Sequence, residues 1–111
     1  MQIHLRTKGN VSILDLNGPL KLGEPEQAFR QQVEGLLDGG TKRLAVNLAG
    51  VPEMDSSGIG ALVRAFTTVK QQGGKCRFFG PTKRVLQTLK MVRLDSVLDL
   101  VEDEATALEG F

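Results

Sequence analysis

The run Asp55-Ser56-Ser57-Gly58-Ile59-Gly60 restricts what this chain can become more than any other stretch. Ile59, Leu62, Val63 and Phe66 fall at i, i+3, i+4 and i+7, the spacing of one helix face. Small polar residues running into that pattern mark the N-terminus of a helix. Just upstream, Arg43-Leu44-Ala45-Val46-Asn47-Leu48 reads as a strand. The serines are therefore expected on a short loop between the end of a strand and the start of a helix.

The same alternation runs through the rest of the chain. Ile3 to Arg6 reads as a short strand, Gly9-Asn10 as a turn and Val11 to Leu16 as a half-buried strand, so a hairpin comes first. Gly18-Pro19 ends the second strand. Pro25 suits the first helical position, and Glu24 and Glu26 favour the positive end of a helix dipole. Phe29, Val33, Leu36 and Leu37 then recur at helical spacing until Gly39-Gly40. Lys42 to Leu48 is mostly apolar, as a central strand is. In the helix after the serines, Val69 extends the apolar face, Arg64, Thr68 and Gln71 lie opposite, and Gly73-Gly74 is the stop. Lys75 to Phe79 is a strand, Gly80-Pro81 a turn, and Thr82 a cap for a helix carrying Val85, Leu86 and Leu89. Ser96 to Val101 is expected as a last strand and Glu102 to Leu108 as a terminal helix. Strands alternating with helices at this spacing predict an α/β fold. The expectation is a single domain over residues 1–111 with a mixed, mostly parallel sheet of four to five strands. About four helices flank it, and the N-terminal hairpin is antiparallel.

Composition removes several function classes. Aromatic residues make up 5% of the chain and all are Phe, so stacking platforms for single-stranded nucleic acid are not expected. The net charge of +1 is uninformative, but its distribution is not. Every charged residue from Ser56 to Leu94 is basic (Arg64, Lys70, Lys75, Arg77, Lys83, Arg84, Lys90, Arg93). Every one from Asp95 onward is acidic. This reads either as a solvated charge gradient or as a basic surface near the serines that meets an acidic partner or a phosphate. The single cysteine, Cys76, lies in an apolar run and reads as a buried small hydrophobe. No stretch has the length of a signal peptide or a membrane span, so a cytoplasmic protein without membrane insertion is expected.

Enzyme chemistry finds no support. A serine nucleophile needs a base within hydrogen-bond reach, and the only histidine is His4, on the first strand. Gly-x-Ser-x-Gly is absent, and Gly58-Ile59-Gly60 lacks the lysine and hydroxyl residue of a phosphate-binding loop. One His and one Cys make no zinc set. Asp15, Glu53 and Asp55 are in principle able to hold a hard cation, although their spacing does not demand it. No catalytic residue, metal or cofactor is therefore assigned. A phosphate on Ser57, by contrast, adds a charge of about −1.5 to −2 at a helix N-terminus, where unpaired N–H groups tolerate it. The bland alternative is that Asp55 or Ser56 simply caps the helix, worth about 1 kcal/mol.

The run Asp55-Ser56-Ser57-Gly58-Ile59-Gly60-Ala61-Leu62, with the strand Leu44 to Leu48 before it, resembles the STAS domain and, more narrowly, the bacterial anti-sigma factor antagonists. The likeness extends over nearly the whole chain. Val11 to Leu20 is similar to that family's second strand with its Gly-x-Leu ending, and Gly73-Gly74 and Val85 to Leu98 also match in place. The resemblance implies a partner-switching role in transcription control. The chain then binds an anti-sigma factor that is also a serine kinase, is phosphorylated on Ser57, and is restored by a phosphatase. Asp55, Ser56, Gly58 and Ile59 are implied as partner-docking residues. The chain is then a kinase substrate and not an enzyme. The alternatives are an unphosphorylated STAS interaction subunit of a sensory or lipid-transport ABC complex, or an enzyme or ligand-binding domain whose loop holds an anion or nucleotide. One residue departs from the pattern: many antagonists carry an acid where Lys21 stands here.

Overall fold

The computed structural model describes residues 1–111. The chain begins with a hairpin, β1 (Gln2–Lys8) and β2 (Val11–Asn17). There follow α1 (Glu24–Asp38), β3 (Arg43–Gly50), α2 (Ser56–Gln71), β4 (Lys75–Phe79), α3 (Lys83–Met91), β5 (Leu100–Val101) and α4 (Glu104–Leu108). The sheet order is β1-β2-β3-β4-β5, with β1 antiparallel to β2 and every other pairing parallel. The expected mixed, mostly parallel sheet of an α/β domain is therefore present, with β3 at its centre.

The chain steps across the sheet in one direction, and crossovers of one hand then place successive helices on one face. Phe29 and Val33 of α1, Leu62 and Val69 of α2, and Val85 and Leu89 of α3 pack with Leu14, Leu16, Val46, Leu48 and Phe78 of the strands in one core. The other face holds a smaller cluster of Val11, Ile13, Ala45 and Phe79, covered by Ala107 of α4. Alternation along the strands explains both sets, because neighbouring side chains point to opposite faces. Cys76 lies in the larger core, and burial pushes its thiol pKa up to about 12, so it behaves as an apolar residue.

Several boundaries differ from the sequence reading. β1 is longer than Ile3 to Arg6, Pro25 is the second residue of α1, and α4 starts at Glu104 behind an Asp103 cap. The strand expected over Ser96 to Val101 shrinks to Leu100–Val101. Leu94 carbonyl accepts from the N–H groups of Val97 (3.1 Å) and Leu98 (2.9 Å), so a turn takes the first residues of that stretch. The turn itself buries Leu98, one of the four apolar residues of that stretch. α3 ends in a Schellman arrangement: Arg93 N–H donates to Lys90 O at 3.0 Å and Leu94 N–H to Leu89 O at 2.9 Å. Its left-handed position is occupied by Arg93 at φ 59, where glycine is usual.

α4 is held to the sheet by charge. Arg6 donates to both oxygens of Asp15 (2.6 and 2.9 Å) and to Glu104 Oε1 (2.6 Å), while Lys8 reaches Glu104 Oε2 at 3.1 Å. Asn47 of β3 donates to Asp15 at 2.9 Å. Arg77 donates to Asp99 at 2.9 Å and to Ala107 O at 3.1 Å, and its guanidinium stacks on Phe111 at 5.0 Å. The hydrogen bonds from Arg6 hold the Asp15 carboxyl below the usual carboxylate range, and those from Arg6 and Lys8 do the same for Glu104.

Asp15 and Glu104 ionise more readily in the folded than in the unfolded chain. Their stabilisation is therefore complete above about pH 4.5, and it is lost as pH falls through their lowered folded values. Urea unfolding across this range should show stability dropping toward acid, and Arg6→Met should flatten that slope. At pH 7 the same variant should lose about 1–2 kcal/mol after allowance for solvent screening. Arg93→Gly should raise stability by about 0.5–1 kcal/mol in the same assay, because it relieves a left-handed side-chain conformation.

Candidate functional site

The parallel strands β2, β3 and β4 all end on one edge of the sheet, and three helices start there. In such sheets the strand C-terminal edge is where sites are built. The chain after β2 stays beside the chain after β3. Gly18 N–H donates to Gly50 O (3.0 Å), Leu20 N–H to Glu53 O (3.0 Å) and Asp55 N–H to Leu20 O (3.4 Å). Leu20 and Met54 form an isolated parallel bridge.

Asp55 is the N-cap of α2, in extended conformation (φ −102, ψ −174). Its Oδ1 accepts from Gly58 N–H at 2.9 Å and its Oδ2 from Leu22 N–H at 3.1 Å. One carboxylate thus caps the helix and pins the segment after β2. These two backbone donors hold its pKa below the ordinary Asp range. Ser56 and Ser57 are the first two residues of α2 and do not lie on a separate loop, which corrects the sequence reading. The first turn of a helix tolerates small polar residues, and a cap supplied by Asp55 draws the helix start back to Ser56. Ser56 is exposed, Ser57 half-buried, Gly58 buried and Ile59 half-buried. With Asp55 as cap, neither serine hydroxyl is needed to hold the helix end.

Gly58 is required by a close approach. A Cβ there would stand 2.1 Å from the carbonyl oxygen of Leu20. Gly60 is different, since a Cβ there meets only the flexible end of Arg64 at 3.4 Å. The two glycines that look alike in sequence thus have different reasons to be there.

Lys21 and Arg84 both pair with Glu53. Lys21 binds Oε1, and Arg84 Nη2 lies 2.8 Å from Oε2. The ammonium of Lys21 first, and the guanidinium of Arg84 after it, hold the Glu53 carboxyl below the usual range. Arg84 comes to this edge because Thr82 caps α3 (Val85 N–H to Oγ1, 3.2 Å) and its hydroxyl donates to Val51 O at 3.5 Å. Leu22, next to Lys21 in the chain and joined to Asp55 through its N–H, is 75% exposed. Sequence reading singled out Lys21 but missed Leu22 and the Lys21–Glu53–Arg84 cluster. The signal available was topological: parallel strands bring residues after β2, β3 and β4 to one edge.

Other sequence candidates are dispersed. His4 lies on β1 opposite Asp15, on the sheet face away from α2, and so has no access to the serines. Asp15 is taken by Arg6 and Asn47, Glu53 by Lys21 and Arg84, and Asp55 by backbone N–H groups. No three His, Cys, Asp or Glu side chains gather as a metal-ligand set. The fold divides the basic stretch: Arg77 reaches Ala107 of α4 on one side of the sheet, whereas Arg64 pairs with Glu26 of α1 and Arg84 with Glu53. No helix is long and apolar enough to cross a membrane.

Comparison with known proteins agrees with this architecture. Residues 2–107 match the family model of the STAS domain. An anti-sigma F factor antagonist of Paenibacillus polymyxa is 24% identical over 108 residues, covering 97% of this chain and 92% of that protein. A Thermotoga maritima protein, provisionally described as an anti-sigma factor antagonist, superposes with a TM-score of 0.89 at 23% identity. That match covers 96% of this chain and 92% of the other. The Bacillus cell fate determinant SpoIIAA in its phosphorylated form gives a TM-score of 0.73 at 15% identity, covering 93% and 92%. Its unphosphorylated form, described as an anti-sigma factor antagonist, gives 0.73 at 15% and covers 99% and 100%. At these identities the solved structures speak for the fold alone.

The glycine geometry is directly testable. Gly58→Ala should lose about 1–3 kcal/mol in chemical denaturation, because Leu20 or the start of α2 must move. Gly60→Ala should be stabilising by about 0.5–1 kcal/mol, the helix-propensity gain. Equal effects at the two positions would show that Leu20 does not press on Gly58.

Proposed function

The chain belongs to the STAS domain family, and we propose that it is an anti-sigma factor antagonist that works by partner switching. In this reading it binds an anti-sigma factor that is also a serine kinase, and binding frees a sigma factor for transcription. The kinase phosphorylates Ser57 and so breaks the complex, and a phosphatase restores the unmodified form. The chain is a substrate and not an enzyme, it carries no cofactor, and it acts in the cytoplasm. Asp55, Ser56, Gly58 and Ile59 form the docking surroundings of the acceptor.

The observation that carries the reading is the cap. Asp55 holds the N-terminus of α2 through Gly58 N–H, so the Ser57 hydroxyl, on the second helical residue, is spared for modification. A phosphate there meets backbone N–H groups of the first turn, which have no partner within the helix. The domain can accept the group without refolding, while a partner lying over the edge meets new bulk and about two negative charges. The Paenibacillus relative supports the role by its name, and SpoIIAA supports the chemistry, since that protein is known in phosphorylated and unphosphorylated forms. Hydrolytic use of the serines lacks a base, because His4 lies on the opposite face of the sheet.

Lys21 favours a second reading in one respect. An ammonium where many antagonists carry an acid changes the electrostatics of docking and, on this reading, weakens recognition by the usual kind of kinase. On that reading the chain is an unphosphorylated interaction subunit of a sensory or lipid-transport ABC complex. The two separate in one experiment: incubation with the cognate anti-sigma factor kinase and ATP, followed by mass spectrometry of the peptide containing Ser57. Switching requires phosphate on Ser57, retained binding by Ser57→Ala and lost binding by Ser57→Asp. No phosphate, together with wild-type binding by Ser57→Asp, removes the switch. Calorimetry with nucleotides and inorganic phosphate should give no saturable heat, since the chain itself is read as holding neither.

A further inference from the structure

The geometry points to the Lys21–Leu22–Glu53–Arg84 cluster as a docking surface for a protein partner whose own face is acidic. This deepens the proposed function and rests on its reading of the serine edge as the partner-binding edge.

Two cations share one anion here. Lys21 and Arg84 bind different oxygens of Glu53, so these three side chains together carry one positive charge. Asp55 adds a negative charge nearby, but its two oxygens face the N–H groups of Gly58 and Leu22 at the positive end of α2, so the free hydrogen-bond donors at this surface are those of the two cations. An ammonium has three donors and a guanidinium five, so most remain free to face a partner. The side chains are 46% exposed at Lys21 and 71% at Arg84. Glu53 holds the two cations side by side and is a positioning residue.

Leu22 supplies the apolar part. It is 75% exposed, and its backbone is fixed by the hydrogen bond to Asp55. An exposed apolar side chain next to charged ones is the anatomy of a protein interface, with an anchor at the centre and a polar rim. None of the five cavities is lined by Lys21, Leu22, Glu53, Ser56, Ser57 or Arg84. A surface without a cavity does not enclose a small molecule. Without an aromatic residue in the cluster, it also offers bases no stacking platform. Charge complementarity then specifies carboxylates on the partner. The same charge explains how a phosphate on Ser57 acts. About −1.5 to −2 added at the start of α2 outweighs that charge and repels an acidic face.

The test uses each anti-sigma factor of the source organism, purified singly, against the full chain in surface plasmon resonance. At about 50 mM salt, Lys21→Glu and Arg84→Glu should each weaken binding about tenfold, chiefly by slower association. Wild-type affinity should fall as salt rises to about 500 mM. Glu53→Gln, which leaves both cations uncompensated, should speed association at low salt. Leu22→Ser should raise the dissociation rate at both salts. Circular dichroism checks that each variant is folded. If the wild type binds an anti-sigma factor and the two charge reversals bind it equally well, the acidic-partner surface is wrong while the proposed function stands. If no anti-sigma factor binds the wild type, the proposed function fails and this surface with it. Phosphatidylserine vesicles should not bind, and binding to them that Lys21→Glu abolishes would replace the protein partner by a lipid surface.

Discussion

The Asp55 carboxylate is the contact on which the serine edge depends. One oxygen closes the first turn of α2 and the other fixes Leu22. Without the first, the helix start frays and Ser56 and Ser57 lose a defined position. Without the second, the segment after β2 is free to leave α2, taking Lys21 and Leu22 with it. The fit is tight enough that Leu20 carbonyl occupies the space a side chain at residue 58 would need. Asp55 and Gly58 therefore act as one device. The acid pulls two segments together, and the glycine lets them meet.

The rest of the fold is divided so that this edge stays unencumbered. The three longer helices bury their apolar stripes on one face of the sheet, which builds most of the core. The other face is closed by α4, held by Arg6 and Lys8 through Glu104. Those partly buried, multiply bonded ion pairs are in the setting where charge contributes to stability. Both faces are thus used for holding the domain together, which leaves the strand C-terminal edge free to carry the serines and the Lys21–Glu53–Arg84 cluster. His4 illustrates the division, because its place on β1 puts it on the α4 side of the sheet and out of reach of the serines.

How much of this could be read from sequence depended on how local the cause was. α2 and β3 were legible because their apolar spacing and glycine stops are contained within each element. Thr82 as the cap of α3 was legible for the same reason. Ser96 to Val101 misled because Leu98 is buried by a turn, and buried apolar residues look alike in a turn and in a strand. Asp55 and Ser56 were equally good caps on paper. The choice of Asp55 came from Leu22, 33 residues away, whose N–H occupies its second oxygen. The Lys21–Glu53–Arg84 cluster was not legible, since it is assembled by parallel strands ending together and no local pattern announces it.

That cluster is hard to explain by stability. Exposed ion pairs contribute about 0–1 kcal/mol each, and Arg84 in particular is mostly in solvent. A modest interaction is nevertheless suited to switching. A hundredfold change in affinity needs about 2.8 kcal/mol. In the proposed switch, the phosphate reverses the local charge, so several weak attractions become repulsions together. A partner held mainly by a buried apolar contact would feel such a reversal less. On the proposed reading, the combination at this edge, one exposed leucine and two shared cations, gives a docking surface in which charge carries enough of the free energy for one phosphate on Ser57 to control it.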